Sequence, residues 1–310
     1  KRQRGRIMYT FGIKHTTADN MTTMLQGSQV GPTPTFFFDY SVKDLRRDIT
    51  CCPFQWTKGV QTLQSFKSWS FGKLRYEWTN RMIPTGNDDG INRQYMRYAD
   101  IVLMRAELEN ELNGASAAVP YLTKIRNRAF ATSDRATEVT AYVAEAALSK
   151  EKMFQAIVDE RAYEFAGELI RKADLIRWGM LKSKMDETKN KMKAIVSLTD
   201  YDSKHPYSQL SGHAYYKMSA YTWTRNGIET TEKDAKLNLY GLNYGEMDIN
   251  PEGYTEFSDS KGEASTWIKD NALEDVIDYL YVRDPDKYQY WPIFNVNLND
   301  NPNLSNYEWY

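Results

Sequence analysis

Three glutamates, Glu160, Glu164 and Glu168, are spaced four residues apart and would line one face of a helix. Two carboxylates that face each other across a bound sugar at about 5–10 Å can hydrolyse a glycosidic bond. Like charges at helical spacing also repel and therefore need basic partners. Three basic residues lie within helical reach: Arg161, Arg171 and Lys172. Because such partners keep carboxylates ionised, the pattern favours a salt-bridge network between helices over a hydrolase site.

Aromatic side chains give a stronger indication of a ligand than the acids do. Exposed aromatic faces beside hydrogen-bonding side chains suit flat ligands such as sugar rings, although burial in the core is the alternative for each ring. The first candidate group lies among Gln, Ser, Lys and Asn residues and comprises Trp56, Trp69 and Trp78. The second comprises Tyr215, Tyr216 and Trp223. We predict ligand contacts from both groups.

Other chemical motifs are scarce. Asn87-Asp88-Asp89-Gly90 could hold calcium, but it lacks the spaced acids of an EF-hand and is more typical of a solvated turn. Cys51 and Cys52 are adjacent, a spacing that resists a disulfide, so we expect two small buried or half-buried residues. The chain has no Gly-rich phosphate loop, Gly-x-Ser-x-Gly elbow or His-Glu-x-x-His motif. The sequence therefore predicts a protein that is not an enzyme and that holds no metal or cofactor.

Composition describes a folded protein with few possible partner classes. The 310 residues are 41% hydrophobic and 26% charged, and the net charge is −1. A chain of this length can bury a large core. Its near-neutral charge makes nucleic acid an unsuitable partner, and no apolar run approaches the roughly 20 residues of a membrane-spanning helix.

The chain divides into three regions of different character. Residues 1–90 are rich in loops and short strands and form the candidate ligand surface, with strand-like pieces at 6–13, 35–40 and 73–78. Residues 91–200 form a helical core block. Residues 201–310 are rich in tyrosine and carry 18 acidic against 9 basic residues. We expect long ordered loops in this last region, with one helix near residues 273–281.

Hydrophobic periodicity places the helices of the middle region. Apolar residues keep a 3.6-residue period over residues 95–112, and a second helix with Pro120 in its first turn completes an antiparallel hairpin. A third helix opens after Ser149 as N-cap and runs, with a break at Gly167, towards Gly179. A fourth amphipathic stretch covers residues 181–196.

Several runs of this block resemble the signatures of the SusD/RagB family. They are RYADIVLMRAE at 97–107, YLTKIRNRA at 121–129, and ERAYEFAGE with RKADLIRWG within 160–179. Trp291-Pro292-Ile293 and Asn301-Pro302-Asn303-Leu304 resemble the closing motif of the family, and Asp44-Leu45-Arg46-Arg47 is a weaker match. Leu169 stands where the family commonly has glycine.

The resemblance implies a mainly α fold, in which tetratricopeptide-like helical hairpins support long irregular loops with a few short strands. It implies a lipoprotein exposed on the outer membrane of Bacteroidetes that captures glycans and delivers them to a SusC-like TonB-dependent transporter, without catalysis. Family members are usually longer, so we expect this chain to be a C-terminal part. The signal peptide, the lipidated cysteine and the first helical pairs would precede it, which leaves the lipid anchor outside this chain.

Two alternatives to glycan capture stay open at this point. The helical hairpins could instead form a scaffold that docks a protein partner and binds no glycan. A glycoside hydrolase would require Glu160, Glu164 or Glu168 to face an open cleft without arginine partners. Neither the residues nor the resemblance identifies the sugar, its linkage or its chain length.

Overall fold

The protein is described by a computed structural model over residues 5–19, 22–23, 27–64, 68–79, 82–83, 91–210, 215–225, 228–240, 255–256 and 277–306. Helices dominate these residues, which confirms the prediction of a mainly α fold. No helix within the described ranges is both long enough and apolar enough to cross a membrane.

The first 90 residues combine short helices with two small antiparallel sheets. The elements are α1 (Ile7–Phe11), α2 (Pro34–Asp39), α3 (Arg47–Thr50), β1 (Cys51–Cys52), β2 (Phe54–Thr57), β3 (Val60–Leu63), β4 (Ser70–Phe71) and a 3₁₀ turn (Tyr76–Trp78). Strand β1 pairs with β4, and β2 pairs with β3. The predicted strands at 6–13, 35–40 and 73–78 are wrong, because these segments are α1, α2 and the 3₁₀ turn. In α2, Pro34 starts the helix and Phe37 and Phe38 are both buried, so packing overrides the β propensity of the aromatics.

The middle region forms the predicted helical block. Helices α4 (Tyr98–Asn113) and α5 (Ala115–Ala129) are joined by Gly114 at φ +88° and pack along each other as a hairpin. Pro120 lies inside α5 and not in its first turn, since α5 begins directly after Gly114 with good helix formers. A π-helical turn (Ala136–Ala141) leads into α6 (Tyr142–Ala146).

The third predicted helix begins after Ser149 and is interrupted near Gly167, as expected. Helix α7 (Lys150–Phe165) is capped by the Ser149 side chain, which accepts a hydrogen bond from the backbone N–H of Lys152 at 3.2 Å. The chain then turns at Gly167, which has φ +77° and leaves no room for a side chain, because a Cβ there would lie 3.0 Å from the Phe71 ring. Helices α8 (Arg171–Arg177) and α9 (Leu181–Ser197) follow, separated by Gly179 at φ +66°.

Three apolar clusters hold these elements together. The largest joins α4, α5 and α7, and its fully buried members include Leu103, Ala106, Leu122 and Ile157. A second connects α2 to α9 and to a 3₁₀ turn (Tyr207–Gln209), through side chains such as Phe37, Trp69, Met192 and Tyr207. The third lies under β2 and contains Met8, Ile13, Phe54 and Trp56. Burial of each large apolar side chain contributes about 1.5–3 kcal/mol, so the second cluster anchors α2 on α9 of the helical block.

The last region contains long strands where loops were expected. Strands β5 (Tyr215–Arg225) and β6 (Ile228–Tyr240) pair antiparallel, and β7 (Thr255–Glu256) pairs with the start of β5. The prediction of loops is therefore wrong over residues 215–240. Threonine and aromatic residues favour strands, and the intervening Asn226-Gly227 is a hairpin-turn signal, so the sequence did contain this information.

The end of the chain is only partly described. Of the helix predicted near residues 273–281, residues 273–276 lie outside the described ranges, and the remainder is a 3₁₀ turn (Asp278–Leu280). A short helix, α10 (Asn295–Asp300), follows the Trp291-Pro292 pair.

Candidate functional site

Glu160 and Glu164 lie on α7, whereas Glu168 lies in the turn after it, and basic side chains enclose all three. Glu160 is fully buried and accepts hydrogen bonds from Arg46 Nη1 at 2.7 Å and from Arg126 Nη1 at 2.8 Å. Glu164 accepts from the same Arg46 nitrogen at 2.9 Å and also pairs with Arg97 and Arg128. The expected salt-bridge network is therefore confirmed at these two positions.

Glu168 completes the network at the end of the motif. It pairs with Arg97 Nε at 2.7 Å and with Lys73 Nζ at 2.7 Å. The predicted partners Arg161, Arg171 and Lys172 are wrong, because the true partners come from other parts of the chain. Arg161 instead binds Asp174 and Asp100, and Arg171 donates to the backbone carbonyl of Val158.

The electrostatics of this network oppose acid catalysis. Burial alone would raise the pKa of the Glu164 carboxyl, but hydrogen bonds from Arg97 and the charges of Arg97 and Arg46 hold it below its usual value. A general acid in glycoside hydrolysis needs the opposite shift. Glu160, Glu164 and Glu168 thus connect parts of the fold, and these three carboxylates offer no open acid pair.

The predicted tryptophans lie in two different environments. Trp78 follows the buried Tyr76 at the end of the 3₁₀ turn and is 52% exposed, with the Arg75 guanidinium 4.9 Å from its ring centroid. Trp56 and Trp69 are 0% and 2% exposed. The prediction of ligand contacts from Trp56 and Trp69 is therefore corrected, because burial in the core, the stated alternative, applies to both rings.

Packing explains why Trp56 and Trp69 are inside. Trp56 stacks on His15 with ring centroids 6.1 Å apart, and β2 alternates so that Phe54 and Trp56 share the buried side. Trp69 packs edge-on against Phe37 of α2 at 5.2 Å. The period-2 alternation of β2 was the signal available in the sequence.

The second aromatic group lies on a single strand. Tyr215, Tyr216 and Trp223 belong to β5, where Tyr215 pairs with Tyr240 of β6, Tyr216 with Thr255 of β7 and Trp223 with Thr230 of β6. Their proposed ligand contacts stay a prediction.

The remaining candidate motifs add no chemistry to the described part of the chain. Residues 87–90, the possible calcium turn, lie outside the described ranges. Across the described residues, no group of three or more His, Cys, Asp or Glu side chains is arranged to hold a metal ion. Cys51 and Cys52 are free and buried, as expected. Burial raises the pKa of both thiols, that of Cys52 to about 11, which leaves them as packing residues.

A cleft that we did not predict lies between α2, α7 and α9. Its volume is about 850 Å³, within the range of small-molecule sites. Phe36, Tyr40 and Tyr163 form an aromatic wall, in which the Tyr40 and Tyr163 ring centroids are 4.8 Å apart. The hydroxyl of Tyr163 donates to the Asp39 carbonyl at 2.8 Å, and that of Tyr40 donates to the Tyr163 carbonyl at 2.8 Å. These bonds fix the wall in one orientation.

Charged side chains of α7, α8 and α9 line the rest of the cleft. Asp159 accepts one hydrogen bond, from Gln155 Nε2 at 2.8 Å, and Arg171 enters from the start of α8. On α9, Glu187 pairs with Lys184 at 2.8 Å and with Lys191 at 2.7 Å. Sequence reasoning missed this site because α2, which carries the aromatic wall, was predicted as a strand.

Comparison with known proteins gives consistent results. A family model described as the SusD family matches residues 59–310. The SusD-like protein P25 of Formosa agariphila is 48% identical over 90 residues, which are 29% of this chain and 16% of that relative. A solved SusD homolog from Bacteroides thetaiotaomicron VPI-5482 superposes with a TM-score of 0.51 at 22% identity, over 66% of this chain and 42% of that structure. The chain therefore matches less than half the length of these relatives, and the solved structure supports the fold.

Proposed function

Because this chain belongs to the SusD family, we propose that it captures a glycan without cleaving it, as part of nutrient uptake. The observation that carries this proposal is the closed network of Glu160, Glu164 and Glu168, in which arginine and lysine partners occupy every carboxylate. A family member whose best acid candidates are occupied in this way is suited to binding and not to hydrolysis.

The contact residues in this proposal are aromatic. Trp78 offers a half-exposed ring, which suits stacking on the face of a sugar. Tyr215, Tyr216 and Trp223 on β5 remain the second proposed group. Trp56 and Trp69 support the surface from within.

The location and the partner of the protein follow from family membership in this proposal. We expect a lipoprotein on the outer membrane of a Bacteroidetes cell. Its partner would be a SusC-like TonB-dependent transporter, which takes up the captured glycan. No nucleic acid takes part, in keeping with the net charge of −1.

Affinity electrophoresis through gels that contain a panel of polysaccharides tests the proposal. One glycan should retard the wild type, and Trp78→Ala should reduce that retardation strongly while its circular dichroism stays unchanged. Trp291→Ala is the matched control, since Trp291 is also exposed but lies outside the proposed contacts. Equal retardation of wild type and Trp78→Ala would remove Trp78 from the site.

A protein-interaction scaffold is the second candidate, and one surface favours it. Tyr98, Ile101, Leu108 and Leu112 form an exposed apolar stripe along α4, opposite its buried face. The scaffold candidate predicts that no polysaccharide retards the folded chain. Glycan capture predicts retardation that survives the double substitution Ile101→Ser and Leu108→Ser, because this stripe is not part of the proposed glycan surface.

A further inference from the structure

Two charged side chains in the cleft between α2, α7 and α9 lack a full set of partners. The Asp159 carboxylate, which can accept about four hydrogen bonds, accepts one from Gln155. The Arg171 guanidinium, with five N–H donors, uses one nitrogen to donate to the Val158 carbonyl at 2.8 Å. Within the described residues neither side chain forms an ion pair.

A neighbouring ion pair, Arg161 with Asp174, has its hydrogen-bonding groups well occupied. Arg161 donates to both carboxylate oxygens of Asp174, at 2.8 and 3.1 Å, and to Asp100 at 2.7 Å. Asp159 and Arg171 lie on the same two helices as Arg161 and Asp174, and yet they remain separate. The unused hydrogen-bonding capacity of Asp159 and Arg171 is therefore specific to the cleft, since Arg161 and Asp174 of the same two helices are paired with each other.

The burial of these two groups agrees with the geometry. Desolvation raises the pKa of Asp159, although the charge of Lys184 acts in the opposite direction. Desolvation lowers the pKa of Arg171, although the charge of Asp159 opposes this shift. Each group is partly buried, and the protein only partly compensates its loss of water. Groups of this kind in a cleft are typical of ligand sites.

The charged side chains of α9 that line the opposite wall of the cleft are paired with each other or with Asp39. Lys191 bridges Asp39 at 2.7 Å and Glu187 at 2.7 Å, and Lys184 pairs with the same glutamate. On the α7 and α8 side of the cleft, Asp159 and Arg171 are therefore the charged side chains with unused hydrogen-bonding capacity.

An apolar surface lies directly beside these polar groups. Tyr163 follows Asp159 by one helical turn and therefore shares its face of α7. The Phe36 ring of α2 lies 6.2 Å from the Tyr163 ring, at an interplanar angle of 34°. Both rings are partly exposed in the cleft.

The charges of the lining select the class of ligand. The acids are Asp39, Glu138, Asp159, Glu187 and Asp202, and the bases are Arg171, Lys184, Lys191 and Lys204, with the imidazole of His205 in addition. Five acids against four bases leave little net field, so the cleft favours neither an anion nor a cation. Neighbouring hydroxyl groups both donate and accept, so they match a carboxylate and a guanidinium at once, while the C–H face of a sugar ring packs on an aromatic ring.

We propose that this cleft is a binding site for a neutral sugar residue, with Asp159, Gln155 and Arg171 holding its hydroxyl groups and with Phe36 and Tyr163 packing against its ring. This inference rests on the proposed function and adds a site to it. Trp78 and the cleft are then separate contact points for glycan.

Calorimetric titration with neutral oligosaccharides cut from the polysaccharide that retards the wild type tests the cleft. Asp159→Asn and Arg171→Lys should each raise Kd about tenfold or more, since each removes hydrogen bonds to a charged group. Glu151→Gln is the matched control, because Glu151 is an exposed acid in the first turn of α7, and its Kd should equal that of the wild type. Asp159→Asn should melt no lower than the wild type, because ionised Asp159 is disfavoured by burial.

The possible outcomes separate the two proposals. If Asp159→Asn and Arg171→Lys bind with unchanged affinity while Trp78→Ala binds more weakly, the cleft is not a sugar site. The proposed function would remain supported in that case. A wild type that binds no member of the panel would overturn both. Saturable binding of free glycine that Asp159→Asn abolishes, without sugar binding, would replace the neutral sugar with a zwitterion as the ligand.

Discussion

Arg97 binds Glu164 at two points. Its Nη1 donates to the carboxylate at 2.5 Å, and its Nη2 donates to the backbone carbonyl of the same residue at 2.7 Å. Glu164 lies in the last turn of α7, where backbone carbonyls lack helical partners. Lys73 donates to this carbonyl as well, at 2.6 Å. Arg97, which precedes α4, and Lys73 of the N-terminal region thus both donate hydrogen bonds to the C-terminal end of α7.

Loss of the Glu164 carboxylate should destabilise the fold. Glu164→Gln keeps the size of the side chain but leaves Arg46, Arg97 and Arg128 without one of their anions, and we expect the free energy of unfolding to fall by about 3 kcal/mol. Urea denaturation measures this difference. Glu151→Gln, at an exposed position of the same helix, should change stability by less than about 0.5 kcal/mol. Equal effects of the two substitutions would contradict the structural role of the network.

The same carboxylate predicts a pH dependence of stability. The pKa of Glu164 is lowered in the folded protein from its ordinary value of 4.5, despite the opposing effect of burial, so the unfolded chain binds the proton more readily. The stabilisation is complete above the unfolded pKa and is lost as the pH falls through the folded pKa. The difference between wild type and Glu164→Gln should therefore be constant at neutral pH and shrink as the pH falls below 4.5 in urea titrations. A difference that stays constant over this range would contradict the shift.

Leu169 should be replaceable by glycine with a gain in stability. Its φ is +67°, a left-handed conformation that costs a residue with a side chain about 1–2 kcal/mol, and Leu169 is 47% exposed. Leu169→Gly should raise the free energy of unfolding by about 0.5–1 kcal/mol, after the greater flexibility of glycine in the unfolded chain is included. Ala173→Gly inside α8 is the control and should lower it by about 0.5–1 kcal/mol. A loss of stability in both variants would show that the Leu169 side chain contributes more than its conformation costs.

The two cysteines should be unreactive in the folded protein. Burial raises the pKa of Cys52 to about 11 and raises the pKa of Cys51 as well, so little thiolate is present at neutral pH. A chromogenic disulfide reagent at pH 8 should label neither thiol in the native chain within the time that labels glutathione fully. Both should react once the chain is unfolded in guanidinium chloride. Rapid labelling of the native protein would contradict the burial of this pair.

Local signals in the sequence were sufficient for the helical block. Helix α7 was predicted from its Ser149 cap, its apolar period and the break at Gly167, because all three act within a few turns of the chain. The network around Glu160 was also predictable in kind, since three like charges on one face require cations. The identity of those cations was not, because Arg46 and Arg126 reach Glu160 from 114 and 34 residues away.

Tertiary packing decided the parts that sequence reasoning missed. Helix α2 has strand-like composition, and its burial against α9 determines its conformation. The cleft depends on that helix, so Asp159 and Arg171 could not be recognised as neighbours of Phe36 beforehand. Trp56 and Trp78 look alike in sequence, and only the fold places one inside and the other at the surface.

The most direct test of the account is calorimetric titration of the wild type with a retarding glycan, followed by chromatography of the recovered sugar after prolonged incubation. Non-catalytic capture predicts a saturable heat of binding and a glycan that is recovered at its original chain length. Shortened products would show that an acid of this chain cleaves the glycan, and the absence of saturable binding to every glycan would show that capture is not its function. Either result would contradict the account.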